Sequence, residues 1–183
     1  MTDPDRPRVE VPAIPAWLAH RPTLGGLVIP RITPRTSDGR YLFGSIELAR
    51  AERALRQRRC GVCDRPLGER LVLFLRLSDL PRRTTVEPAL DPVCAHYTTR
   101  ACPMINGRLA TYRTSTPHLD EYADGSADAT RERQARQGAP AEPWFAIWLP
   151  DYQLVHEHGY LAASYTTIHP LRIRPVTWRL PGT

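Results

Sequence analysis

Residues 60–68 read CGVCDRPLG, and residues 90–102 read LDPVCAHYTTRAC. These two stretches decide the fold, because they carry all four cysteines of the chain. Cys60 and Cys63 have CxxC spacing, which lets two thiolates face one metal ion across a tight turn. Gly61 lets the backbone fold beneath the ion, and Asp64-Arg-Pro-Leu-Gly68 has the turn chemistry that closes such a knuckle. In the second stretch, Asp91 followed by Pro92 is a helix start, with Asp91 as N-cap and Pro92 at the first helical position. That helix is expected to end near Cys102-Pro103.

The helix limits which residues share the metal. Cys94 and Cys102 are eight residues apart, about 12 Å of rise at about 1.5 Å per residue. Two thiolates that far apart cannot both bond one zinc at about 2.3 Å. His96 lies roughly 200° around the helix from Cys94 and points away. Asp91 precedes Cys94 by the same spacing as the first pair, on the first turn, where both side chains can face one point. The preferred ligand set is therefore Cys60, Cys63, Asp91 and Cys94, around one structural Zn2+ per chain. Cys102 and His96 stand as alternatives for the fourth position, and Cys102 otherwise reads as a buried small hydrophobe. Knuckle, hairpin and a helix whose first turn supplies two ligands is the layout of a treble-clef finger.

Outward from this centre the chain divides into four parts. Residues 1–44 form a Pro-rich arm, in which Leu24-Gly-Gly-Leu-Val-Ile29 and Arg40-Tyr-Leu-Phe43 predict a hairpin around Asp38-Gly39. Residues 45–110 form the zinc module. Ser45 is its N-cap, and Ile46 to Arg59 predicts a helix with Leu48, Ala51 and Leu55 on one face. Leu71 to Leu77 reads as a buried strand, with Thr84–Val86 as its returning partner. Residues 111–143 are polar and read as a loop or mobile insertion, with a short helix around Ala127–Arg136. Residues 144–183 are β-rich: Trp144–Leu149, Tyr152–Val155 and a terminal strand from Leu171 to Leu180, with Pro175 at an edge or bulge. The expected fold class is α+β, a treble-clef-like zinc module wrapped by the arm and the C-terminal segment.

The motifs resemble a known group. RRCGVCDRPLGERL (58–71) and PALDPVCAHYTTRACPM (88–104) are similar to small zinc-knuckle proteins from high-GC Gram-positive bacteria and their phages, whose pattern is CxxC, an apolar strand, then HPxCAxYxxxxCP. The resemblance covers about residues 15–110, with a looser match near 144–180. It implies a metal site and a phage-related context, and assigns no activity. This chain has Asp91 where the group often has His.

Composition bounds the function. No apolar run approaches the roughly 20 residues that span a bilayer, and MTDPDRPRVEVPAIP at the start has no apolar signal core. A cytoplasmic protein with no membrane partner is the expectation. All 25 basic residues are arginine, which excludes any lysine nucleophile, and the formal net charge is +6. Between Arg50 and Arg108, twelve arginines face six acids, so the excess concentrates around the zinc module. Arg53, Arg56, Arg58, Arg59, Arg65, Arg82 and Arg83 are the candidate contacts to phosphate or to a protein partner.

Catalytic readings fit less well. A thioredoxin-like CxxC opens a helix after a strand, whereas here a helix precedes the motif. A zinc deaminase needs HxE ahead of PCxxC, and His156-Glu-His158 comes after the cysteines. An HNH-type nuclease needs a histidine that the stretch between Cys63 and Cys94 lacks. The sequence therefore points to a non-enzymatic accessory or regulatory protein that binds nucleic acid or a nucleic-acid-processing protein. The competing readings are a metal-dependent hydrolase or nuclease using His156, His158 or His96, and a purely structural interaction module.

Overall fold

The computed structural model describes residues 11–114 and 134–176. It is a mixed helix-and-sheet fold, with few helices and several antiparallel sheets. In chain order the elements are β1 (Thr23–Leu24), β2 (Leu27–Val28), α1 (Leu48–Arg56), β3 (Leu71–Arg76), β4 (Thr84–Thr85), α2 (Pro92–Ala101), β5 (Trp144–Leu149), β6 (Gln153–Glu157), β7 (Tyr160–Ser164) and β8 (Arg172–Pro175). Strands β1 and β2 pair with each other, and two three-stranded sheets have the orders β3-β5-β8 and β4-β7-β6.

The β3-β5 pair is the central layer. Its apolar run LVLFL is continuous because both faces are covered. Val72 and Phe74 join Cys60, Val62, Cys94 and Tyr97 in one core. Leu71, Leu73 and Leu75 point the other way, into a second core with Leu55, Ile147, Tyr152 and Leu161. The period of two along β3 thus welds the metal-ligand module to one side of the sheet and the β6-β7 hairpin to the other.

Several elements differ from the sequence expectation. Gly25 and Gly26, both at positive φ, turn the chain inside the apolar run. β1 therefore pairs with β2, and Arg40–Phe43 contributes only a bridge from Tyr41 to Arg35. Helix α1 starts later than Ser45, with Glu47 as N-cap and no side-chain cap bond, because the Glu47 N–H is taken by Ile32 O at 2.8 Å. β4 does not return along β3. It pairs with β7, and β3 instead meets Leu90, through Val72 N–H to Leu90 O and Leu90 N–H to Val72 O, both 2.9 Å.

β5 occupies Trp144–Leu149 as the sequence indicates. β7 was not anticipated, although the His158-Gly159 turn that leads into it has both residues at positive φ, as a two-residue hairpin requires. β8 is an edge strand. Val176 N–H bonds Trp144 O, and this register turns the position of Pro175 toward the open edge, where its missing N–H costs no ladder bond. Most of Ala127–Arg136, and the terminal strand beyond Val176, lie outside the described residues. Among the described residues no helix is long and apolar enough to cross a membrane.

Leu73 is fully buried and Leu171 is 58% exposed. Leu73→Ala is expected to cost about 2–5 kcal/mol of unfolding free energy, and Leu171→Ala to stay within about 0.5 kcal/mol of wild type. Denaturant titration of the two variants checks the placement of the core.

Candidate metal centre

The end of α1 aims the chain into the knuckle. Arg58 adopts φ 52, Arg59 N–H reaches back to Ala54 O at 2.8 Å, and Arg58 N–H to Leu55 O at 3.4 Å. These bonds form a Schellman closure with arginine in the place usually held by glycine. Cys60 follows at once. Its N–H bonds Arg65 O at 2.8 Å, and its carbonyl accepts from Asp64 N–H at 2.9 Å. Asp64 takes the left-handed conformation, φ 63, that closes the loop.

Gly61 is required by close approach. A Cβ there would lie 3.2 Å from Pro88 Cβ and 3.4 Å from Leu90, because Gly61 N–H bonds Ala89 O at 3.1 Å. The knuckle is thereby laid against the strand-like residues that lead into α2.

Those residues deliver the second pair of donors. Leu90 is held to Val72, so the next residue, Asp91, begins α2 beside the knuckle. Its carboxylate does two things at once. Oδ1 accepts from Val93 N–H at 3.0 Å and Cys94 N–H at 2.9 Å, which caps the helix. Oδ2 lies 3.2 Å from Cys63 Sγ. The donor atoms of Cys60, Cys63, Asp91 and Cys94 all lie within 4.8 Å of one another. A tetrahedral ion with bonds of about 2.0–2.3 Å holds its ligand atoms about 3.3–3.8 Å apart, so small side-chain adjustments suffice. Cys60 and Cys94 are 0% exposed and Cys63 is 7% exposed.

The electrostatics suit a cation. Hydrogen bonds from Cys60 and then Cys94 hold the Cys63 thiol far below its usual range. Cys60 is pushed up, first by Cys63, and Cys94 is pushed up, first by Cys60 and then by Cys63. Thiolates this close repel one another, so the three do not all ionise unaided. A cation lets all of them ionise, and the α2 N-terminus adds a positive dipole end beside Cys94. Three close cysteines and an aspartate can bind a metal ion here.

The other candidates lie elsewhere. Cys102 is the C-cap at the far end of α2, where burial raises its thiol pKa, and His96 is exposed. Neither belongs to the converging set. His158 occupies the β6-β7 turn rather than the strand, and His156 is exposed. Glu157 between them is engaged by Arg82 and by the Thr84 hydroxyl.

Six of the seven arginines singled out by sequence go to carboxylates or rings. Arg53 and Arg59 share Asp64. Arg58 pairs with Asp151 and lies 4.6 Å over the Tyr152 ring, and Arg56 reaches Glu52 at 4.0 Å. Arg65 lies 5.4 Å over Trp17, and Arg82 binds Asp79 and Glu157. Arg83 is exposed, at φ 56. Sequence reasoning missed Arg31, a third guanidinium on Asp64, because nothing local ties residue 31 to residue 64.

The two roles of Asp91 separate by substitution. Asp91→Asn should keep the cap, whereas Asp91→Ala should lose it as well, a further loss of about 0.5–2 kcal/mol of unfolding free energy. With metal present, both should bind the ion more weakly than wild type. Denaturant unfolding of the metal-loaded variants reads the cap, and competition for the ion by a chromophoric chelator reads the ligand. No family model, curated protein or solved structure matches this chain.

Proposed function

We propose that the centre holds one structural zinc in a treble-clef-like module, and that the protein is a non-enzymatic accessory or regulatory protein, phage-related in context, that binds nucleic acid or a nucleic-acid-processing protein through its arginine-rich surface. The observation that carries the metal half is the closed donor set. Four protein atoms lie within 4.8 Å of one another, enough to supply all four ligands of a tetrahedral ion, as closed structural zinc sites do. Three soft sulfurs with one oxygen in that arrangement suit zinc. The order of knuckle, strand β3, the Leu90 bridge and helix α2 supports the treble-clef reading, with a single bridge standing where the hairpin was expected.

The binding half rests on charge. Around the knuckle, guanidiniums outnumber carboxylates: Arg31, Arg53 and Arg59 surround Asp64 alone. The hydrolase alternative gains little support, since the His158 backbone serves the hairpin turn. An apolar depression between α1 and β7, lined by Ile46, Leu48, Ala51, Val86 and Leu161, holds Glu52 as its one carboxylate and has no histidine or cysteine. A protein surface remains the second reading, because the stacked and paired arginines resemble those enriched at interfaces.

Metal analysis should return one zinc per chain, and chelation should abolish cooperative unfolding, because zinc binding contributes folding free energy. Cys63→Ser should leave an aggregated or unfolded chain, whereas Cys102→Ser should fold and keep its zinc. Full folding after chelation would overturn the structural role. Binding of an oligonucleotide should weaken as salt rises, with log K falling by about 0.9 per neutralised phosphate for each unit of log salt. Binding no stronger at low salt would point to a protein partner instead.

A further inference from the structure

The knuckle gathers more positive charge than its pairs neutralise. Asp64 Oδ2 accepts from Arg31 Nε at 3.3 Å and Arg53 NH2 at 2.7 Å, and Oδ1 accepts from Arg59 Nε at 3.1 Å. One carboxylate offsets one of these three cations. Arg31 and Arg59 each use only Nε, so among the described residues their terminal nitrogens have no acceptor. The three side chains are 33–42% exposed, which opens them to water and to a ligand.

A fourth guanidinium adds to the group. Arg21 donates to Ile29 O at 3.1 Å, while its buried Nε has no acceptor among the described residues. Arg21 also feels the repulsion of Arg31 and the attraction of Asp64 and Cys63. Among the described residues, Glu47 pairs with Arg50 and Glu52 with Arg56. A divalent ion among three thiolates and a carboxylate leaves that centre at −2, and its sulfurs are buried. Four arginines against Asp64 and such a centre still leave a positive excess, and Arg31, Arg53 and Arg59 reach solvent.

We propose that Arg31, Arg53 and Arg59 form a seat for one phosphate group, with Asp64 as its internal scaffold. The carboxylate holds the guanidiniums together and keeps their mutual repulsion from splaying them. The forks left over suit the several oxygens of a phosphate, which arginine binds in paired fashion. The seat rests on the nucleic-acid reading only for the source of the phosphate, which is the backbone of a strand or free inorganic phosphate.

The test uses the zinc-loaded full chain, with two probes: a short DNA duplex titrated against salt, and inorganic phosphate alone. The double substitution Arg31→Gln with Arg59→Gln should weaken duplex binding about tenfold or more and lower the salt slope by about 1. Asp64→Asn removes the charge that gathers the guanidiniums and should weaken duplex binding several-fold. Zinc content, measured on each variant, reports whether the module is intact. If the double variant does not fold, Asp64→Asn alone decides, and unchanged or tighter binding there overturns the seat.

Wild type that binds phosphate but no duplex keeps the seat and assigns it to the free ion. A duplex bound equally by wild type and by a folded double variant overturns the seat and leaves the nucleic-acid reading standing. No binding of either probe at low salt overturns the seat and the nucleic-acid reading together. A double variant that loses zinc more readily while holding phosphate as wild type does also overturns it, because the arginines then serve only to offset the metal centre.

Discussion

The carboxylate of Asp91 is where helix, knuckle and sheet meet. One oxygen caps α2 and the other faces Cys63, so the helix cannot start elsewhere without pulling a donor out of the centre. Leu90, one residue earlier, is bonded in both directions to Val72 of β3. The donor set is therefore built on a strand in the middle of the core, and the position of α2 follows from that strand rather than from its own propensity. This matters because α2 is short, and a helix of about ten residues is marginal without tertiary support.

The central sheet distributes that constraint. Because β3 alternates its side chains between two cores, a disturbance at the knuckle reaches the β6-β7 hairpin across one layer of backbone. Tyr97 adds a second tie, with its hydroxyl accepting from Val28 N–H at 2.9 Å, so the N-terminal arm is held to α2 as well. Tyr152 makes a similar link on the far side, donating to Leu55 O at the end of α1 at 2.6 Å. The arm and the C-terminal segment thus brace the module through single buried hydroxyl bonds as well as apolar contact.

Charge follows the same geography. Exposed ion pairs such as Arg40–Asp38 contribute little stability. The Asp64 group is different, because several like charges are drawn to one acceptor. Their repulsion is tolerated because the shared carboxylate lowers the potential among them. The group lies next in the chain to the candidate donor set, since Asp64 follows Cys63.

Sequence alone determined the parts whose cause is local. CxxC spacing, the Asp91-Pro92 helix start and the rise of an α-helix sufficed to separate Cys94 from Cys102 and to bring Asp91 forward. The unbroken apolar run at Trp144–Leu149 sufficed for β5. The tertiary structure decided what depends on residues far apart in the chain: that β3 pairs with β5 and Leu90 instead of β4, that Gly25–Gly26 breaks the expected hairpin, and that Arg31 joins Arg53 and Arg59 on Asp64. Periodicity and capping act within a few residues, so they can be read along the chain. Strand partners and shared carboxylates are chosen by which distant surfaces the core brings together, and that is set only when the whole chain has packed.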